Sequence, residues 1–349
     1  MKRADMGGIA AALIAALLFG ANPPLAKLLL VHTNPWLLAA LLYLGSGLGL
    51  LLLRRLWRVP AVSLPVLERG WLAGATLAGG VVAPVLLLLG LARMPASGAS
   101  LLLNAEGVIT ALLAWFVFHE NFDRRVALGM VAIVAGALVL SWPGEASFAG
   151  SQAALLVLGA CLAWAVDNNL TRKVSLTDAS FIAMTKGLTA GATNLALALA
   201  LHAPWPAPGI ITGALFLGLA SYGASLTLFV VALRHLGTAR TGAYFSVAPF
   251  LGTLLAISLL QEPVTPQLAL AGALMLLGVW LHLTERHEHT HVHESGSHEH
   301  PHYHGDDPHH DHPHDPPVAA GTRHRHSHVH MALQHSHPHF PDMHHGHRH

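Results

Sequence analysis

The chain has 349 residues, of which 53% are hydrophobic and only 11% are charged. About a quarter of the residues of a soluble domain are charged, so this composition excludes an ordinary water-soluble protein. The single cysteine, Cys161, excludes both a disulfide framework and a thiolate metal cage.

Apolar runs recur from Gly7 to Thr284, each about 17–25 residues long, which is the length that crosses a bilayer as a helix. They predict an all-α membrane protein with ten transmembrane helices. The lipid bilayer that surrounds these helices is a predicted partner. We place these helices at residues 7–30, 35–53, 70–91, 96–118, 125–141, 151–171, 179–201, 209–233, 239–260 and 266–283. Turn-forming stretches such as "RMPAS" and "QEPVTP" separate them.

Lys and Arg residues indicate the orientation of the chain. With the N-terminus in the cytoplasm, thirteen of them fall in inside segments and two in outside loops. Basic residues concentrate on the cytoplasmic side of membrane proteins. The sequence therefore predicts an integral protein of a bacterial-type cytoplasmic (inner) membrane, with both termini cytoplasmic.

The first and sixth predicted helices are similar to each other. "FGANPPLAK" (19–27) aligns with "WAVDNNLTR" (164–172), which matches Phe19 with Trp164 and Asn22 with Asp167. The first helix also resembles a secretory signal peptide, with a basic head and an apolar middle. Its similarity to an internal helix argues against cleavage.

The fourth and ninth predicted helices repeat in the same way. "LLNAEGVITALLAWFVFHE" (102–120) aligns without a gap with "YFSVAPFLGTLLAISLLQE" (244–262), which matches Asn104 with Ser246 and Glu120 with Glu262. We therefore expect two five-helix repeats, at residues 1–142 and 150–284. Five is an odd number of crossings, so the second repeat enters the membrane inverted, as in secondary transporters.

Two recurring markers carry a family resemblance. One is a polar or Pro-containing break in the first helix of each half ("ANPP", "DNNL"); the other is a fourth helix that ends in Glu ("FHENFDRR", "LQEPVTP"). In these respects residues 7–284 resemble the EamA type of the drug/metabolite transporter superfamily. The resemblance implies ten spans and movement of small solutes without ATP, and the chain contains no GxxxxGK[ST] motif. Where the second half has Pro249 in its fourth helix, the first half has Gly107.

Three ionisable residues lie inside predicted spans: Glu106, Asp167 and Lys186. A charge at the bilayer centre costs about 2.5–3.5 kcal/mol on insertion scales, so each should have a partner and mark a transport path. Similar depths predict an Asp167–Lys186 ion pair, and Glu106 is the candidate coupling residue that loads and releases a proton or cation. Alternatively, Glu106 is a neutral structural acid or the counter-ion of Lys186, whose amine could instead extend to the membrane surface.

Uncharged polar side chains complete the candidate path. They are Asn22, Asn104, Asn168 and Ser246. Each of them could equally form an interhelical hydrogen bond with no role in transport.

Residues 285–349 form a tail that holds 23 of the 28 histidines. Its low apolar content predicts disorder. Alternating histidines supply interchangeable ligands that suit Zn, Ni, Co and Cu, so we expect loose binding of divalent metal ions, although a pH-responsive tether or neutral drift in composition remain alternatives. The candidate ligands are His287, His289, His291, His293, His298, His300, His302 and His304.

The sequence favours a secondary transporter that exports small organic metabolites by alternating access and requires no cofactor. The alternatives are a divalent metal ion efflux transporter with the tail as cytoplasmic metal collector, and a membrane-anchored metal buffer or sensor. The five histidines outside the tail fall near helix ends or loops, so the path is poor in metal ligands. No enzyme-like constellation and no nucleic-acid partner is indicated, and the oligomeric state, including a homodimer, stays open.

Overall fold

The computed structural model describes two units of the chain. The described residues are 3–60, 62, 64–118, 124–142, 150–174, 177–236 and 238–284, and in the tail 288–293, 296–303, 323–330 and 333–338. Residues Met1–Glu285 form one unit, here the membrane unit, and Arg286–His349 form the other.

The first half of the membrane unit contains the first five predicted spans. Their helices are α1 (Arg3–Gly20) and α2 (Asn22–Leu30) in the first span, α3 (Pro35–Leu56) in the second, α4 (Val66–Ala75) and α5 (Ala83–Leu91) in the third, α6 (Ala96–Leu102) and α7 (Ala105–Phe118) in the fourth, and α8 (Arg124–Ser141) in the fifth.

The second half contains the other five spans. Their helices are α9 (Gly150–Thr171) in the sixth span, followed by a short 3₁₀ turn, α10 (Ala179–Ala200) in the seventh, α11 (Pro208–Gly218) and α12 (Ser225–Leu236) in the eighth, α13 (Thr238–Phe245) and α14 (Ala248–Leu260) in the ninth, and α15 (Pro266–Leu283) in the tenth.

Eight of the described helices are long and apolar enough to cross a membrane: Met6–Leu30, Pro35–Leu56, Glu68–Leu91, Ala96–Leu113, Arg124–Ser141, Gln152–Thr171, Pro208–Ala232 and Pro266–Leu283. The seventh span, α10, is long but more polar, since it carries Lys186 and Asn194. The ninth is interrupted, which leaves Ala248–Leu260 as a shorter apolar helix. An integral membrane protein is therefore supported, while the count of ten spans stays a prediction.

The two halves share the same departures from a regular α-helix. The third span contains a π-helical segment at Thr76–Val82, and the eighth contains one at Leu219–Ala224. The fourth span is interrupted at Leu103–Asn104, and the ninth at Ser246–Val247. The gapless repeat alignment already matches Asn104 with Ser246, so the interruptions fall at equivalent positions and the duplication extends to backbone detail.

The first and sixth spans differ, which corrects one prediction. The first has a local defect at Ala21, where the backbone angles stay helical, and Asn22 and Pro23 begin the next helix. The sixth is continuous from Gly150 to Thr171, although we expected its "DNNL" stretch to be a break of the same kind. Proline lacks the N–H of the helical ladder and clashes with the preceding turn, whereas Asp and Asn side chains leave the ladder intact.

Helix packing follows the duplication. The second span packs on the seventh, the fifth on the tenth and the fourth on the ninth, while the first contacts the eighth and ninth and the sixth contacts the third and fourth. Exchanging the halves reproduces each of these pairs. Gly129 and Gly278 allow the closest approach of the fifth and tenth spans, because a Cβ on either would lie 2.6–2.7 Å from the carbonyl oxygen of the other.

The tail unit contains four strands: β1 (Glu288–His293), β2 (Gly296–Tyr303), β3 (Arg323–His330) and β4 (Leu333–Pro338). β1 pairs antiparallel with β4, and β2 with β3. For these residues the structure differs from the predicted disorder. The alternating His-x-His pattern has a period of two, which matches the alternation of side chains along an extended strand.

Candidate functional site

A cavity of about 410 Å³ lies between the two halves of the membrane unit. This volume is within the range of small-molecule sites in proteins. Spans from both halves line it, through the residues Phe19, Tyr43, Ser46, Glu106, Trp164, Asp167, Asn168, Thr171, Ile182, Ala183, Lys186, Gly187, Ser221, Tyr222, Ser225, Leu226, Phe229 and Phe245. The structure thus brings four predicted site residues, Glu106, Asp167, Asn168 and Lys186, into one place, here called the main cavity.

A buried ion pair occupies one wall of the main cavity. The Lys186 Nζ atom lies 2.5 Å from both carboxylate oxygens of Asp167, and the two side chains are 16% and 9% exposed. The Thr171 hydroxyl donates a further hydrogen bond of 2.8 Å to Asp167. The expected ion pair is therefore present, and Lys186 points to its partner rather than to the membrane surface. Removing one member of such a pair would leave an uncompensated buried charge.

Glu106 forms a second polar centre in the same cavity. It lies in the first turn of α7, two residues beyond the interruption of the fourth span. Asn168 donates a hydrogen bond of 2.9 Å to its carboxyl group and lies 3.4 Å from the Thr110 hydroxyl. Neighbouring residues of the sixth span, Asp167 and Asn168, thus connect the ion pair with the carboxyl group of the first half.

The third span contributes no side chain to the described lining, but its backbone holds several lining residues in place. The Gly79 carbonyl accepts hydrogen bonds from the Tyr43 hydroxyl at 2.6 Å and from the Trp164 indole at 3.0 Å. The Gly80 carbonyl accepts one from Asn194 at 3.1 Å. Both glycines belong to the π-helical segment, a feature that recurs at functional sites in helices.

Space at Gly79 also determines where the acid of the ion pair lies. A Cβ atom built on Gly79 would be 1.9 Å from the Asp167 Oδ2 atom. Real Cβ atoms do not approach an oxygen this closely, so a side chain at position 79 would displace the carboxylate. The absence of a side chain at Gly79 is therefore a requirement of the ion pair.

Aromatic rings form the apolar part of the main cavity. Phe245 packs against Phe19 at 5.5 Å and against Phe229 at 4.9 Å between ring centroids, and Tyr222 lies 6.3 Å from Phe19. Asn22, a predicted path residue, is not in the lining; it is buried behind it and donates a hydrogen bond of 2.8 Å to the Tyr222 hydroxyl.

The aromatic lining residues are absent from the path predicted from the sequence. A signal for two of them existed, because the repeat alignment matches Phe19 with Trp164, and both line the cavity. Tyr222 and Phe245 had no comparable signal, since an isolated aromatic residue in an apolar helix is indistinguishable from a packing residue.

A second cavity of about 340 Å³ adjoins the main cavity. It contains the other two predicted path residues, Asn104 and Ser246, together with His282 of the tenth span. Asn104 also donates to the Leu101 carbonyl at 2.9 Å. The two cavities share three lining residues: Phe19, Glu106 and Phe245.

Both cavities extend toward one end of the membrane unit. Here the proximal end is defined by the connection between the sixth and seventh spans (172–178), and the distal end by the connection between the third and fourth (92–95). The main cavity includes Thr171 and Ile182, which lie on either side of the proximal connection.

Two charged side chains hold the distal end together, and we call them the distal clamp. Lys27 donates hydrogen bonds to the carbonyls of Leu91 and Met94, at 2.5 and 2.9 Å. Its positive charge thus satisfies carbonyl groups at the C-terminal end of α5, where the helix dipole favours a cation.

The other member of the distal clamp is Glu262. Its carboxylate accepts hydrogen bonds from the backbone amides of Ala96 and Ser97, at 2.7 and 2.8 Å, where α6 begins. Lys27 and its acceptors all belong to the first half, whereas Glu262 belongs to the second, so the contacts of Glu262 join the halves. Glu120, the repeat counterpart of Glu262, lies outside the described residues.

Metal ligands are sparse in the described part of the membrane unit. Among the described side chains, no group of three or more His, Cys, Asp and Glu residues could hold a metal ion. The eight predicted tail ligands, His287, His289, His291, His293, His298, His300, His302 and His304, lie outside the residues whose side chains are described.

A comparison with known protein families matches both halves of the membrane unit separately. The profile of the EamA-like transporter family fits residues 6–142 and again residues 151–284. The chain belongs to this family. The resemblance noted from the repeated markers is thereby confirmed.

Relatives in this family bear names of transporters. The chain is 28% identical to an uncharacterized transporter of Methanothermobacter thermautotrophicus over 78% of this chain and 85% of the relative. It is 32% identical to a probable amino-acid metabolite efflux pump of Salmonella typhimurium, over 47% of this chain and 52% of that protein. A solved crystal structure is similar in fold, with a TM-score of 0.59 and 21% identity over 81% of this chain and 99% of the solved chain. This EamA-like chain is thus a membrane transporter of small molecules.

Proposed function

We propose that this EamA-like protein is a secondary exporter of small zwitterionic metabolites of the amino-acid type. The observation that carries the proposal is the main cavity, where a buried carboxylate–ammonium pair and a second acid lie beside aromatic walls. The name of the Salmonella relative, a probable amino-acid metabolite efflux pump, agrees with this substrate class.

The ion pair favours a zwitterion over singly charged solutes. A substrate carboxylate can replace Asp167 as the partner of Lys186, while the substrate ammonium group takes Asp167 or Glu106. All buried charges then stay paired. A singly charged solute would leave one member of the pair uncompensated in a low-dielectric site, which costs several kcal/mol. An apolar substrate side chain would rest against the aromatic lining.

Alternating access between two inverted repeats accounts for movement across the membrane. In the predicted orientation both termini are cytoplasmic, so the proximal end faces the cytoplasm and the distal clamp closes the outer side. The two cavities then make this an inward-facing arrangement, and export would require release of the clamp. Glu106 is the proposed coupling residue, since it is the acid of the first half that faces both cavities.

Flux measurements in proteoliposomes test this proposal. Purified full-length protein should exchange internal for external radiolabelled L-phenylalanine and L-leucine, with little exchange of malate or choline. Glu106→Gln should keep this exchange but lose stimulation by a pH gradient, while Asp167→Asn should lose both. Exchange of malate or choline as fast as that of L-phenylalanine would contradict the zwitterion assignment.

The histidine-rich tail supports a second candidate function, efflux of divalent metal ions such as Zn, Ni, Co or Cu. A chain lacking residues 285–349 separates the two candidates. If organic solutes are the cargo, the truncated protein should retain L-phenylalanine exchange and confer no metal sensitivity on cells. Metal efflux predicts loss of zinc or nickel resistance in the same cells, with normal insertion of the protein.

A further inference from the structure

The second cavity has features of an aqueous path rather than of a substrate site. The interruptions of the fourth and ninth spans both contribute to its lining, through Leu103, Asn104 and Ser246. At the first interruption the Asn104 amide donates to the Leu101 carbonyl at 3.0 Å, and at the second the Ser246 amide donates to the Gly242 carbonyl at 2.9 Å. The two interruptions thus bring the polar side chains of Asn104 and Ser246 to one cavity, where they can hydrogen-bond to water.

An aromatic partition separates this cavity from the main cavity. Phe19 and Phe245, with ring centroids 5.5 Å apart, line both cavities. Glu106 lies at the same boundary, so one carboxyl group faces both spaces. A solute in the main cavity and water in the second cavity could thus contact Glu106 from different sides.

The chemistry of the second cavity suits protons. Apart from Glu106, His282 is the titratable side chain in its described lining, and its Nε2 atom lies 3.0 Å from the Val126 carbonyl oxygen. Imidazole exchanges protons near neutral pH.

The other ionisable groups around Glu106 belong to the main cavity or to the sixth span. Asp167 and Lys186 neutralise each other, and the phenols of Tyr43 and Tyr222 are engaged with Gly79 and Asn22. Cys161, buried on the sixth span, lies 3.6 Å from the Leu102 carbonyl oxygen. Among the described residues near Glu106, His282 is thus the group positioned toward the proximal end.

We propose that the second cavity is a dedicated proton route, by which Glu106 releases its proton to the cytoplasm through His282 while the substrate uses the main cavity. This inference rests on the proposed function, because it concerns the coupling of that transport. The proton moves from the Glu106 carboxyl group through water to the imidazole and on to bulk water, and no other bond changes.

Filling the second cavity should uncouple transport without blocking the substrate. Gly107 and Gly242 line only this cavity, and a Cβ on either meets no atom within 4 Å. In proteoliposomes, Gly242→Leu and Gly107→Leu should keep L-phenylalanine exchange at symmetrical pH within about twofold of wild type, and should lower uptake driven by a pH gradient about tenfold or more. Gly209→Leu is the matched control, since it also has open space but lines neither cavity.

The outcomes separate this inference from the proposed function. If wild-type protein exchanges L-phenylalanine but responds to a sodium gradient instead of a pH gradient, the proton route is wrong while the transporter proposal stands. Equal loss of exchange and of gradient-driven uptake in both filled variants would show that the second cavity belongs to the substrate path, which also overturns the inference. No exchange in wild type would contradict the proposed substrate class.

A substrate-independent measurement tests the route itself. In a Cys161→Ala background, a Gly107→Cys variant should react from the proximal side with a small cationic methanethiosulfonate reagent, and adding Gly242→Leu should slow that reaction at least about fivefold. A cysteine at position 107 that does not react from either side would exclude an aqueous path.

Discussion

The two halves of the membrane unit share a backbone but differ in charge. Each half has a π-helical segment in its third span and an interruption at the same place in its fourth span. The main cavity, however, has Asp167 where the first half has Asn22, and Glu106 where the gapless alignment gives Ala248 in the second half. The duplicated framework therefore provides the space, and residues that diverged between the halves provide its chemistry.

Converting Asp167 to the residue of the other half should have the largest effect. Asp167→Asn leaves Lys186 without its partner, so we expect L-phenylalanine transport to fall at least about 100-fold and the protein to lose about 3–5 kcal/mol of stability. Asp167→Asn combined with Lys186→Met removes both charges and should recover much of the stability but not the transport. Proteoliposome flux and thermal unfolding in detergent measure the two quantities. Transport by the double variant at the wild-type rate would show that the pair is only structural.

Adding one methyl group to each π-helical segment should affect the two halves differently. At Gly79 the new Cβ would lie 1.9 Å from Asp167, whereas at Gly223 it would meet the flexible end of Leu219 at 3.1 Å. Gly79→Ala should therefore reduce transport about tenfold or more, and Gly223→Ala about twofold or less. Equal effects of the two substitutions, at equal yields of folded protein, would argue against a positioning role of Gly79.

Weakening the distal clamp should have a moderate effect on transport. It should also change the accessibility of the distal and proximal ends in opposite directions. Glu262→Gln removes the charge and leaves one acceptor oxygen for two backbone amides, so the closed distal end should be less stable. We expect transport to change about threefold to tenfold. In a Cys161→Ala background, labelling of Ser100→Cys from the distal side should increase, while labelling of Thr171→Cys from the proximal side should decrease. Unchanged labelling at both positions would mean that the clamp does not control access.

The helix caps of the second and seventh spans offer the smallest test. Asn34 caps the second span by accepting from the Trp36 amide at 2.9 Å, and its counterpart Asp178 caps the seventh by accepting from the Phe181 amide at 2.8 Å. Of these two caps only Asp178 carries a charge, and the Arg54 guanidinium pairs with its carboxylate at 2.5 Å. Partial burial raises the pKa of the Asp178 carboxyl, but hydrogen bonds from Ser180, the Phe181 amide and Arg54 outweigh it, so the pKa lies below its ordinary value.

Because this pKa is depressed in the folded state, the charge of Asp178 stabilises the protein above the pKa of the unfolded chain. That contribution is lost as the pH falls through the pKa of the folded state. Asp178→Asn should therefore lower stability by less than about 1 kcal/mol at neutral pH, and the difference from wild type should vanish in acid. Thermal unfolding of both proteins between neutral and acidic pH measures this difference in stability. A difference that grows on acidification would contradict the assignment.

The sequence located most of the framework because apolar runs and basic residues report directly on the membrane. It also located the ion pair, since Asp167 and Lys186 lie at similar depths on consecutive spans. It did not reveal the π-helical segments, because hydropathy gives the length of a helix and not its hydrogen-bond pattern. The expected break of the sixth span was wrong because polar residues alone do not interrupt a helix. The partner of Glu106, Asn168, depends on tertiary packing that no local pattern encodes.

The interruptions of the fourth and ninth spans have a mechanical consequence. They divide each span into two helices that meet at a short turn, α6 with α7 and α13 with α14. On the distal side α6 and α14 contact each other beside Glu262, and on the proximal side α7 packs on α9 and α13 on α1 and α12. The distal and proximal parts of these spans thus have different main packing partners, so Glu262→Gln should disturb the distal contacts first.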